Sequence, residues 1–241
     1  APSFKQCAAL GPFTLKITNN SSTKPTNKQY QIIWGDGSPT VNLGAAFASE
    51  INHTYTSIGS FNLKFIVTGN NNCIDTGTYL VFNGSNPGLG VTSPGNTTGC
   101  TNGSSCFTFN ISGFSNNVET NYTFDFGDDS PIENYTQEEL TLKPSLEHCY
   151  LKPSCDRPNS EYILTARAIN ECKLDGTKGE FNSIIVSAPP ESKFSNPDNA
   201  CIGVPITFAN NSTNGCYIYA GVPSIKAYNR WYVDGLLVKY D

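Results

Sequence analysis

The chain runs twice through one distinctive passage. Residues 30–39 read YQIIWGDGSP, and residues 122–131 read YTFDFGDDSP. In both, an apolar, aromatic-rich stretch enters Gly-Asp-Gly/Asp-Ser-Pro without interruption. An internal repeat constrains a fold more tightly than composition does, because each copy must close a similar local core. The surroundings repeat in the same order. The first unit holds Cys7, FTLKITNNSS (13–22), the first corner, INHTYTSIGSFNLKFIVTG (51–69) and NNCIDTG (71–77). The second holds Cys100, FTFNISG (107–113), the second corner, LEHCY (146–150), EYILTARAIN (161–170) and ECKLDG (171–176). A third begins with Cys201, ITFANNST (206–213) and YNRWYVDG (228–235), then stops, so the chain looks like part of something longer.

Within each unit, apolar and polar residues alternate with period two, the signature of half-buried strands. Phe61, Leu63, Phe65 and Val67 share one face, with Asn62, Lys64 and Ile66 on the other. Tyr162, Leu164, Ala166 and Ala168 play the same part in the second unit, and Phe124 with Phe126 correspond to Ile32 with Trp34. Short alternating segments separated by turn chemistry indicate a β-sandwich. Only TQEELTL (136–142) offers a helical turn. NGSNPGLGVTSPGNTTG (83–99) and SAPPESKFSNPDN (187–199) have the Pro/Gly/Ser/Asn content of linkers. The expected organisation is therefore all-β: tandem immunoglobulin-like sandwiches at 1–85 and 86–187, then the N-terminal part of a third at 188–241.

The order aromatic-x-aromatic-Gly-Asp-Gly-Ser-Pro, His-x-Tyr, then Gly-x-Phe and an alternating strand resembles the polycystic-kidney-disease (PKD) domain. The first unit carries it as Trp34-Gly35-Asp36-Gly37, His53-Thr54-Tyr55, Gly59 and Phe61. The second carries Phe126-Gly127-Asp128 and His148-Cys149-Tyr150, with Asp129 for the second Gly and LKPSCDRPNS (151–160) inserted before the next strand. The third keeps only Trp231-Tyr232-Val233-Asp234-Gly235. ACIGVPITFANNST (200–213) leading to WYVDG, with a Cys after the long alternating strand, is similar to PKD repeats of large secreted Bacteroidota surface adhesins. That resemblance implies gliding or attachment proteins exported by type IX secretion.

For the corners the expected role is a structural turn. Gly35, Gly37 and Gly127 supply positive φ, Asp36, Asp128 and Asp129 supply side chains that bond turn amides, and Pro stiffens the exit. Calcium is the rival, at Asp36 or at Asp128 and Asp129, but it wants six to eight oxygens and acids nearby are few; no metal and no cofactor is expected. His53 and His148 stand two residues before Tyr55 and Tyr150, and no Ser- or Cys-centred motif accompanies them. They read as structural histidines, with no catalytic residue expected.

Nine cysteines, with no CxxC pair and only two histidines, point to disulfides rather than zinc. By position along the repeats, Cys7–Cys73 and Cys100–Cys172 would each close a sandwich, with Cys106 competing for Cys172. Cys149–Cys155 would staple the insertion, and Cys201 would pair with Cys216 or beyond the chain. Sequons at Asn52, Asn83, Asn96, Asn110, Asn121 and Asn134 fit either glycan acceptors or turn-rich composition.

A net charge of −5 without basic clusters argues against nucleic acid. No apolar run of eighteen residues exists to insert in a membrane, and APSFKQC reads like a processed or excised start. The expected function is non-enzymatic: structural and adhesive stalk repeats at an extracellular cell surface. The expected partners are neighbouring repeats, surface glycans or polysaccharide, and secretion machinery. Polysaccharide-binding modules of a secreted hydrolase, or a glycoprotein ectodomain, are the alternatives.

Overall fold

The period-two stretches become strands in the computed structural model, and the chain is nearly all β. The described residues are 3–7, 11–45, 47, 50–101, 105–113, 116–196, 199, 201–213, 215–216, 218–219, 222–223, 230–233 and 236–240. The first group of strands is β1 (Phe4–Gln6), β2 (Phe13–Thr18), β3 (Asn27–Ile33), β4 (Val41–Gly44), β5 (Glu50–Tyr55), β6 (Gly59–Gly69) and β7 (Ile74–Asn83). One sheet has the order β1-β7-β6-β3-β4, and β2 pairs with β5 in the other. Leu15, Ile32, Trp34, Tyr55, Leu63 and Val81 form the buried cluster between them.

The second group repeats this plan. Its strands are β8 (Gly90–Thr92), β9 (Thr98–Cys100), β10 (Ser105–Ser112), β11 (Asn121–Asp125), β12 (Glu133–Thr136), β13 (Ser145–Tyr150), β14 (Tyr162–Asn170) and β15 (Lys173–Ser187). The sheets are ordered β12-β11-β14-β15-β9 and β13-β10-β8. Strand by strand, β9-β15-β14-β11-β12 reproduces β1-β7-β6-β3-β4, and β10-β13 reproduces β2-β5. Tyr162, Leu164, Ala166 and Ala168, spaced by two, all point into a second cluster with Phe124, Phe126 and Tyr150.

The helix α1 (Gln137–Leu142) fills the stretch read as one helical turn. Thr136 and Glu139 close a reciprocal capping box, with the Thr136 amide donating to Glu139 Oε2 at 2.7 Å. Leu140 is fully buried beneath it. The remaining strands are β16 (Phe194–Ser195), β17 (Ala209–Asn210), β18 (Ile218–Tyr219), β19 (Val222–Pro223), β20 (Arg230–Val233) and β21 (Leu236–Tyr240), which pair two by two. Asp234, Gly235 and the side chain of Val233 lie outside the described residues.

Two expectations need correction. The Pro/Gly-rich stretch 83–99 is more than a linker, because β8 and most of β9 fall inside it. The disulfides are also connected differently, as Cys7–Cys172, Cys106–Cys149 and Cys155–Cys216. Strand direction explains why Cys7–Cys73 does not form. β1 runs parallel to β7 with Gln6 opposite Asn83, whereas Cys73 precedes the first residue of β7. At about 3.3 Å per residue, a ten-residue strand separates the two cysteines by roughly 33 Å. A disulfide needs Cα atoms within about 7 Å. Cys100, opposite Ser187 at the far end of β15, is likewise a whole strand away from Cys172. Cys149 does not staple the insertion, because the β10–β13 register sets it opposite Cys106. Cys155 instead reaches Cys216. Cys73, Cys100 and Cys201 are exposed free thiols, so Cys201 does not pair with Cys216.

Candidate functional site

Each Gly-Asp corner follows a core strand and is met by the histidine of a neighbouring one. In the first, Asp36 Oδ1 accepts from the Ser38 amide at 3.0 Å, and Oδ2 lies 2.7 Å from His53 Nε2. In the second, Asp128 Oδ1 accepts from the Ser130 amide at 3.1 Å, and Oδ2 lies 2.9 Å from His148 Nε2. A carboxylate only accepts, so Nε2 carries the proton in both rings. The rings are wedged by aromatics. His53 stacks on Trp34 at 4.2 Å, and His148 on Phe126 at 3.8 Å. Tyr55 and Tyr150 meet the same rings edge-on at 4.8 and 4.7 Å. Their hydroxyls donate to the Trp34 and Phe126 carbonyls at 3.0 and 3.2 Å. Five groups thus recur in the same geometry in both sandwiches, and the pattern of aromatic, Gly-Asp, Ser and His-x-Tyr is their sequence trace.

The glycines are needed for space as well as for torsion. Gly35 has φ +86° and Gly127 φ +75°. A Cβ on Gly35 would stand 2.5 Å from the Asn62 carbonyl oxygen, and one on Gly127 2.7 Å from that of Ile163. Gly37 at φ +85° has open space around it, and its equivalent Asp129 adopts φ +66°. The substitution of Asp for the second Gly is therefore accommodated by a left-handed Asp. Its carboxylate pairs with Arg157 of the insertion, whose guanidinium lies 5.5 Å above the Tyr162 ring.

Burial pushes the Asp36 carboxyl up, but bonds from His53 and Ser38 outweigh it and hold it below the usual carboxylate range. At Asp128 burial is likewise outweighed by Ser130 and His148. Burial, then the nearby Asp36 charge, pushes the Tyr55 phenol up to about 12, and the more buried Tyr150 shifts the same way. These are charges held by their own corner. Ser38 and His53 both bond the carboxylate, so the acid–histidine–hydroxyl order of a nucleophilic relay is not made. Each aspartate is faced by hydrogen-bond donors, the histidine N–H and the serine amide and hydroxyl, rather than by the six to eight oxygens calcium selects.

The second assembly of polar groups lies between the sandwiches, and sequence reasoning missed it. The Cys7–Cys172 disulfide joins the end of β1 to the β14–β15 hairpin, with Cα atoms 5.4 Å apart. Beside it Lys5 Nζ donates to the Glu171 carbonyl at 3.2 Å, and Asn170 Nδ2 to that of Ser85 at 2.9 Å. Asn117 is fully buried and donates to the Asn83 carbonyl at 3.0 Å, while Glu119 Oε1 accepts from the Ser60 amide at 2.8 Å. A Cβ on Gly84 would stand 2.3 Å from Asn117 Oδ1. Beyond the second sandwich, Cys155 bonds Cys216 and Ala188 bridges to Cys216. The insertion is thus a strut onto the third segment rather than a self-closed loop. In sequence, Asn117 and Glu119 look like ordinary turn residues, and the cysteine spacing pointed to closure within each sandwich rather than to a junction.

No family model and no curated protein sequence matches the chain. Among solved structures it is similar to murine CEACAM1b, with 14% identity over 77% of this chain and 96% of that one and a TM-score of 0.39. It is similar to fibronectin(III)-like modules of Clostridium thermocellum CbhA, at 13% identity over 77% and 88% with a TM-score of 0.33. An I-band fragment of titin aligns at 10% identity over 97% and 86%, with a TM-score of 0.32. These neighbours are immunoglobulin- or fibronectin-III-like β-sandwich domains.

Proposed function

We propose that the chain is a row of non-enzymatic, PKD-type stalk modules from a large cell-surface adhesin of the gliding or attachment type, exported by type IX secretion. The single observation that carries this reading is the Cys7–Cys172 disulfide, which bonds one sandwich to the next instead of closing either. A covalent clamp beside a buried polar seam makes successive modules a stiff unit. Stiffness between modules serves a protein that must hold a contact at a distance, and an isolated binding domain has no use for it. The duplicated Asp–His corners fit the same role, since their donors and acceptors satisfy each other inside the fold. Three disulfides are those of an extracellular or secreted domain.

Beads coated with the chain test this reading when they are held under flow against cells or polysaccharide surfaces. Retention that falls on mild reduction supports a load-bearing stalk. Retention indifferent to the disulfides, or turnover of peptide, ester or glycoside substrates, contradicts it. One observation favours polysaccharide-binding accessory modules as a second reading. A depression of about 410 Å³ in the third segment is lined by Phe194, Arg230, Trp231 and Tyr232, the aromatic and polar mixture on which sugar rings stack. Pull-down by insoluble polysaccharide, lost in Trp231→Ala, distinguishes it. Two aromatics in GCYIYAG (215–221), Tyr217 and the Tyr219 side chain, lie outside the described residues.

A further inference from the structure

The junction uses one end of the second sandwich, and the first sandwich carries the same end with its hairpin cysteine unbonded. In the second sandwich, the receiving face consists of the loop 116–120 and the β14–β15 hairpin with Cys172. Its counterpart in the first is the loop 19–26 and the β6–β7 hairpin with Cys73. The hairpins match in detail. Asn170 Oδ1 accepts from the Cys172 amide at 2.9 Å, and Asn71 Oδ1 accepts from the Cys73 amide at 3.0 Å. Cys172 is bonded across the junction, whereas Cys73 is an exposed thiol.

Two further observations point to an occupant. The loop and hairpin of the first sandwich frame an open depression of about 600 Å³, lined among others by Thr23, Asn27, Asn70, Asn71 and Cys73. The complementary half of the lock is also present. Cys7 follows β1, which runs parallel to the last strand of its sandwich with Gln6 opposite Asn83. Cys100 ends β9, which runs parallel to β15 with Cys100 opposite Ser187. It too is an exposed thiol.

We propose that the loop 19–26 and the Cys73 hairpin form an inter-module docking face whose occupant is a sandwich of this same build, presenting a thiol at the Cys7/Cys100 position. Docking leads to a Cys73 disulfide equivalent to Cys7–Cys172. The two thiols lose two protons and two electrons to a disulfide oxidant such as glutathione disulfide, which leaves as two glutathione thiols. The inference rests on the reading of the chain as a row of locked modules and adds the rule by which the row extends: hairpin cysteine to N-terminal-strand cysteine, always between neighbours.

Two copies of the full chain supply both halves of the lock. The chain in a Cys201→Ser background is held at about 1 mM, comparable to the effective concentration of tethered modules, in a glutathione redox buffer. Non-reducing electrophoresis and peptide mass mapping then read the linkages. The expected result is a ladder of head-to-tail multimers joined by Cys73–Cys100 between copies, reduced at least tenfold by either Cys73→Ser or Cys100→Ser. Mainly Cys73–Cys73 or Cys100–Cys100 linkages, or a monomer carrying only glutathione adducts, would overturn the proposal. The same map reports Cys7–Cys172 separately, so failure of the docking rule is distinguishable from failure of the stalk reading.

Discussion

Pulling the chain by its two ends should release far less length than its 241 residues contain, because the disulfides offer a short cut. From the N-terminus the covalent path takes six residue steps to Cys7 and crosses to Cys172. It then runs seventeen steps back to Cys155, crosses to Cys216 and takes twenty-five steps to Asp241. About 48 steps at roughly 3.5 Å each give a limit near 170 Å, against about 840 Å for the fully reduced chain. Removing one lock has a distinct signature. Cys172→Ser leaves the Cys106–Cys149 and Cys155–Cys216 short cuts and raises the limit to about 480 Å, whereas in Cys155→Ser the path runs through Cys7–Cys172 alone and the limit rises to about 260 Å. Single-molecule force spectroscopy with handles at both termini measures these lengths directly. Sandwiches each closed by their own disulfide, Cys7–Cys73 and Cys100–Cys172, would extend to roughly 360 Å. An oxidised contour length of that size, or one unchanged by Cys172→Ser, refutes the reasoning.

Three further outcomes follow from the corners and the seam. Because the Asp36 and Asp128 carboxyls lie below their ordinary values when folded, their contribution is complete above about pH 4 and is lost as pH falls through the folded values. Asp36→Asn with Asp128→Asn should therefore flatten the acid side of a stability–pH curve, and an unchanged slope in denaturant titrations contradicts this. Gly35→Ala drives a Cβ into the Asn62 backbone and should cost more than about 3 kcal/mol, whereas Gly37→Ala, with room around it, should cost only about 1–2 kcal/mol for its torsion. Equal losses in thermal unfolding would show that space is not the constraint. Asn117→Ala strips a buried carbonyl of its donor and should cost about 1–3 kcal/mol, with faster hydrogen exchange around Ser85; unaltered exchange there would mean the seam is not holding the linker.

The β-sandwich was legible because strands write their alternation into sequence, and Leu63, Leu164 and Ala166 are buried where period two puts them. The corner was legible for another reason: a glycine whose Cβ would strike a neighbouring backbone cannot be replaced, so Gly35 and Gly127 survive in both copies. Connectivity was not legible. Whether Cys7 lies near Cys73 depends on β1 being parallel to β7, and a three-residue strand carries no mark of its direction. Six bonded cysteines allow fifteen pairings, and spacing alone favours the local ones. The β8 and β9 strands were hidden for a related reason, since edge strands tolerate the Pro and Gly that elsewhere mark linkers. Asn117 was invisible as a seam residue because an asparagine that bonds a neighbouring module's carbonyl has the same sequence context as one that closes its own turn.

The claim on which the rest depends is that neighbouring sandwiches are bonded to each other. Peptide mass mapping of the native, unreduced chain measures it most directly. The account predicts linked peptides carrying Cys7 with Cys172, Cys106 with Cys149 and Cys155 with Cys216, and free Cys73, Cys100 and Cys201 in the monomer. Recovery of Cys7 with Cys73 and Cys100 with Cys172 would contradict it.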